Sequence, residues 1–126
     1  MLLSRIQALL NHTLSVKDFK QEILDEIREY EQAHLKKESN IPIYLDDDIS
    51  QLSLDEDNLK FLCDQYLSAR LNKWEINYIV EAIFLSENIV FCSEEIEDAF
   101  FSLADPSYFD LIDDEYIKSI LNSIDN

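Results

Sequence analysis

Chemistry in this chain of 126 residues must be sought where ligating or titratable side chains recur at short spacing. Asp46-x-Asp48-x-Ser50 begins like a calcium loop, in which oxygen ligands alternate along a tight turn. Counted from Asp46, the sixth position is Gln51 where glycine should make the turn, and the twelfth is Asp57 where a glutamate should bind through both oxygens. Leu52 and Leu54 between them suit packing, so the segment reads as a solvated acidic loop. Glu31-x-x-His34 matches one half of a di-iron carboxylate site, which needs a second such pair and two further glutamates. The other histidine, His12, follows Ala8-Leu9-Leu10-Asn11 and supplies no second pair. Cys63 and Cys92 form neither a metal spacing nor a redox pair, and Cys63 falls on an apolar stripe where a free thiol is a small core residue. No metal, no cofactor and no catalytic residue is therefore assigned, and the expectation is a binding protein rather than an enzyme.

Composition narrows the classes further. Glycine is absent, which removes the loops that let a backbone approach phosphate closely, both the Walker type and the dinucleotide type. It also removes the usual turns with positive φ, leaving Asn or Asp to serve at helix C-caps. Hydrophobic residues make up 47% of the chain and charged ones 29%, a share that supports a packed core. The net charge is −17. Residues 1–40 carry seven acids and six bases, whereas residues 41–126 carry twenty acids and four bases. Such an excess disfavours direct contact with nucleic acid or an anionic membrane and favours fast encounter with basic proteins.

The acids bunch in three places. Asp46, Asp47 and Asp48 stand with Asp55, Glu56 and Asp57; Glu94, Glu95, Glu97 and Asp98 form a second group; Asp110, Asp113, Asp114 and Glu115 form a third. Each group lies in a loop or at the start of a predicted helix, where a carboxylate caps free N–H groups and suits the dipole. Capping accounts for the positions but not for the shortage of lysine and arginine after residue 40. Trp74, Tyr44, Tyr108 and Phe109 lie near these groups and could act as aromatic anchors inside a charged rim, although the spacing of Trp74 suits the core.

The elements that position these residues are helices. Leu2, Ile6, Leu9 and Leu10 place a short amphipathic helix over residues 2–11, too short to span a membrane and with no export cleavage signal. Ser15 caps a second, with Val16, Phe19, Ile23, Ile27 and Tyr30 at helical spacing as far as about Lys37. Pro42 interrupts, and Ile43, Tyr44 and Leu45 read as an extended packing segment. Ser53 with Glu56 looks like a capping box for a helix carrying Leu59, Leu62, Cys63, Tyr66 and Leu67. Asn72 caps the most apolar helix, the candidate for the central one; Ser93 caps another, which Asp105-Pro106 stops; Asp113 caps the last. The expectation is an all-α fold, a single-domain irregular bundle of about six helices over residues 1–126.

The stretch from Phe61 to Ile124, including YLSARLNKWEINYIVEAIFLSE and FFSLADP, resembles the small acidic helical immunity proteins of bacterial contact-dependent inhibition and other polymorphic toxin systems. The resemblance implies a cytoplasmic protein that binds a cognate toxin domain, often a basic nuclease, and blocks its active site or substrate groove. The resemblance carries over no residue assignments; read from the acidic groups and their aromatic neighbours, the expected partner-binding residues are Asp46, Asp47, Asp48, Asp55, Glu56, Asp57, Glu94, Glu95, Glu97, Asp98, Asp113, Asp114 and Glu115, with Tyr108 and Phe109. Two alternatives stay open from sequence: a phage-type mimic of nucleic acid that inhibits a nuclease or DNA-binding protein, and a helical adaptor subunit whose charge only keeps it dissolved.

Overall fold

A computed structural model describes residues 1–37 and 41–124, the side chains of residues 106–108 excepted. Seven α-helices and one two-stranded parallel sheet make up the regular structure of these residues. The chain is thus mostly helical, as its periodicity predicts, but not wholly so. In order, α1 covers Leu3–Leu10, α2 Val16–Glu22, α3 Leu24–Leu35, β1 Leu52–Leu54, α4 Glu56–Leu67, α5 Lys73–Leu85, β2 Ile89–Phe91, α6 Glu94–Ala104 and α7 Asp114–Ile124. A 3-10 turn, Pro106–Leu111, joins α6 to α7.

Helix α5 is the centre of the packing. Ile76, Tyr78, Ile79, Val80, Ala82 and Ile83 are all fully buried, so apolar residues cover most of its circumference. Around it, α1 contributes Leu3, Ile6 and Leu9, α4 Leu59, Leu62 and Cys63, and α6 Phe100 and Leu103, in a shared apolar core. Polar Asn77 is 1% exposed at the heart of α5 and is matched on both sides. Its Nδ2 donates to the Leu103 carbonyl at 2.8 Å, and its Oδ1 meets the Tyr30 hydroxyl. An unmatched amide there would be costly.

The helix expected over residues 15–37 is two helices, broken at Ile23, whose ψ of 9° closes α2 while it opens α3. Phe19, Ile23, Ile27 and Tyr30 are buried on both sides of the break. The apolar stripe runs through it without a change of spacing, so the pattern alone hides the kink. Asn11 and Asp105 do stand at the C-caps of α1 and α6, but among the described residues the positive φ angles fall on His12, Lys37 and Ala69. At Ala69 the strain is offset by a closed turn, in which Arg70 N donates to the Gln65 carbonyl at 2.9 Å and Leu71, 1% exposed, anchors the chain.

The strands are the larger departure. Ser53, expected as an N-cap, lies in β1 between buried Leu52 and Leu54. The cap is Asp55, which accepts from Asn58 N at 2.9 Å while Asn58 Oδ1 accepts from Asp55 N at 3.0 Å. Leu52, Ser53 and Leu54 pair in parallel with Ile89, Val90 and Phe91. Parallel pairing needs a long crossover, and α4 and α5 supply it. Leu52 N donates to the Asn88 carbonyl at one end of the ladder, and Cys92 N to the Leu54 carbonyl at the other. Each strand is so short that its alternation cannot be distinguished from loop sequence.

A candidate partner-binding surface

The three acidic groups have different fates. Asp47 and Asp48 hold the fold together. Asp48 accepts from Ser4 N at 2.8 Å and from Ser4 Oγ at 2.5 Å, and these bonds hold its carboxyl below the ordinary carboxylate range. Asp47 accepts from Ser86 Oγ at 2.5 Å. Asp46 makes a backbone bridge, Leu3 N donating to its carbonyl at 2.9 Å, with its side chain exposed. This loop therefore fastens the start of α1 to the end of α5.

Asp55, Glu56 and Asp57 open α4, and Glu94, Glu95 and Glu97 open α6 with Asp98 one residue on. Sequence separates these two groups by some forty residues; the sheet puts them side by side. Leu54 pairs with Phe91, Asp55 follows the first strand directly, and Ser93 caps α6 just beyond the second. Paired strands lie about 5 Å apart, so two acidic first turns emerge at the same end of the molecule. Glu94, Glu95, Glu97 and Asp98 are exposed, and no lysine or arginine pairs with any of them among the described residues. In the α4 turn Glu56 meets Lys60 at 3.5 Å, a surface pair that contributes little.

The third group sits elsewhere. Asp113 caps α7, accepting from Tyr116 N at 2.8 Å. The Tyr66 hydroxyl, at the far end of α4, is pushed up first by burial and then by Asp114 and Asp113. That places this group near the C-terminus of α4, about 18 Å along the helix from its acidic first turn. Glu115 approaches Lys118 at 3.9 Å.

Of the aromatic residues expected as anchors, Phe109 and Trp74 lie in an interior cluster and Tyr44 is exposed. Phe109 is 8% exposed and lies inside, 4.7 Å from the Trp74 ring and 5.3 Å from His34, with Lys73 Nζ 4.5 Å from its centroid. Trp74 is half-buried in the same cluster with Tyr30. Tyr44 is 48% exposed, but its hydroxyl donates to Glu29, away from the acidic turns. The Tyr108 side chain lies outside the described residues. The aromatic surface near the acidic end is instead Phe101, 48% exposed, edge-on to Phe84 at 5.6 Å, which stacks on Phe91 at 5.5 Å. Val90 and Leu85 are exposed as well.

Phe101 lies on the same face of α6 as Glu94, Glu97 and Asp98, at helical spacing. A signal was present in the Phe100-Phe101 pair. Ile96, Phe100 and Leu103 mark the inward stripe, and Phe101 stands about 100° from Phe100, on the side that carries exposed Glu97.

The remaining groups with chemical potential are quiet. The Cys63 thiol is pushed up to about 12, by burial and then by Asp64, so it is not a thiolate at neutral pH. Burial pulls the His34 imidazole down, with Asp110 opposing. Among the described residues no three His, Cys, Asp or Glu side chains gather as a metal site, and no helix is long and apolar enough to cross a membrane. Comparison with protein-family models, curated proteins and solved structures finds no match to this chain.

Proposed function

We propose that the chain is an immunity-type inhibitor, a single helical domain of the bacterial cytoplasm that binds a basic toxin domain, most simply a nuclease, and does no catalysis itself. The observation that carries this reading is the parallel pairing of β1 with β2, which sets the acidic first turns of α4 and α6 together beside exposed Phe101. Aromatic groups inside a charged rim are the usual anatomy of a tight interface. The carboxylates would steer the encounter and occupy the groove where the toxin takes phosphate, while Phe101 and its neighbours would supply the contact that slows release. The third acidic group stands at the other end of α4, which favours a bounded patch over the continuous stripe expected of a nucleic-acid mimic.

The test is a pull-down with the full chain at low and high salt, in which a basic toxin domain is the expected partner. A one-to-one complex is expected whose affinity falls as salt rises. Glu94→Lys with Glu97→Lys should slow association about tenfold or more, and Phe101→Ala should speed dissociation. A complex indifferent to salt and to all three substitutions would refute the assignment of this surface.

A further inference from the structure

A groove of about 660 Å³ lies between α2 and the turn that joins α4 to α5, and its charge is opposite to that of the molecule. Its lining includes Lys17, Lys20 and Arg70 against a single acid, Glu75. Lys20 and Glu75 neutralise each other in the floor. Lys20 Nζ stands 3.4 Å from Glu75 Oε1 and donates to the Arg70 carbonyl at 2.9 Å. Glu75 is 6% exposed and also accepts from Asn72 N. The turn bearing Arg70 is thereby held from two sides, by Lys20 and by the closed turn at Ala69.

Lys17 and Arg70 are left over. Both side chains are exposed, and neither meets a carboxylate among the described residues, in a chain with 27 acids for 10 bases. Val16 and Leu24 form apolar wall beside them, Leu24 being 36% exposed. The volume falls in the range of small-molecule sites. We infer that this groove binds a small organic anion, its carboxylate or phosphate head on Arg70 and Lys17 and its short apolar body against Val16 and Leu24. Arginine offers a planar fork to either head, and lysine adds a mobile second charge. The groove lies at the C-terminal end of α4, away from the acidic turns of α4 and α6, so the inference does not depend on the inhibitor reading.

Titration calorimetry of the full chain with hexanoate, hexyl phosphate, inorganic phosphate and neutral hexyl glucoside tests it. Saturable one-site binding of hexanoate or hexyl phosphate is expected, with a Kd below about 1 mM, and the tighter of the two names the head group. Amide shifts should map to residues 16–24 and 69–71. Lys17→Gln with Arg70→Gln should weaken binding about tenfold or more while the circular dichroism stays unchanged, and Lys118→Gln should have no effect. The inference is overturned if neither anion saturates, if the double variant binds as well as the parent, or if hexyl glucoside or bare phosphate binds as tightly as the better anion.

Discussion

Tyr30, Asn77 and Glu81 form a buried contact in which the protons can be counted. Asn77 spends its amide N–H on the Leu103 carbonyl, so the atom facing Tyr30 is Oδ1, an acceptor. The Tyr30 hydroxyl oxygen also lies 2.6 Å from Glu81 Oε2, yet a hydroxyl has one proton to give. If that proton goes to Asn77, a protonated Glu81 donates to the Tyr30 oxygen and every group is satisfied. Burial raises the Glu81 carboxyl above its ordinary range, opposed by the Tyr30 hydrogen bond. Burial and then Glu81 likewise hold the Tyr30 phenol neutral. An acid whose pKa is raised by folding contributes stability that is complete below its unfolded value, about 4.3, and lost as pH rises through the folded one. Glu81→Gln keeps a donor without the charge. Its urea midpoint should exceed the parent's at alkaline pH, with the gap closing as pH falls toward about 4. A gap that stays constant over that range would refute the proton count. Tyr30 was legible in the sequence as one more apolar stripe residue, but its partners in α5 come from 47 and 51 positions away and leave no local trace.

At the scale of elements, helix starts were the most legible feature. Ser15, Asn72, Ser93 and Asp113 all cap where their types and the following apolar spacing place them, because a cap is chemistry within four residues. Ser53 and Asp55 show where that logic stops. Both precede the helix, both can cap, and the choice falls to Asp55 because Leu52 and Leu54 must be buried against the partner strand. The two readings differ in a measurement. Asp55→Ala should lower stability by about 1 kcal/mol in chemical denaturation, whereas Ser53→Ala, exposed on the strand, should change it by less than about 0.5 kcal/mol. The reverse order would restore Ser53 as the cap. The kink at Ile23 was hidden for a related reason, since both helices face the same core and the stripe has no break to read.

For the whole molecule, the charge is distributed by function of position rather than spread evenly. Asp47 and Asp48 are tied into hydrogen bonds that close the fold, while among the described residues Glu94, Glu95, Glu97 and Asp98 of α6 have no basic partner and Lys17 and Arg70 of the groove have no acidic one. A net charge of −17 on one small domain repels itself, so folding should be salt-sensitive. The melting temperature should rise as sodium chloride increases from about 10 mM to about 300 mM, where the screening length falls well below the dimensions of the molecule. A flat or falling profile would mean that the acids are already compensated within the fold.

The residues in order are enough to show that the chain is mostly helical, where most helices begin, which helix is central and how acidic the far two-thirds are. Those properties depend on periodicity, capping and composition, all of them local or additive. The folded chain alone reveals that two three-residue segments become paired strands, that the acids of α4 and α6 share one end, that Phe109 is interior and that Phe101 faces solvent. Each of these depends on which distant segment lies opposite, and a parallel crossover through two helices joins residues whose separation along the chain is too great for any local pattern to record.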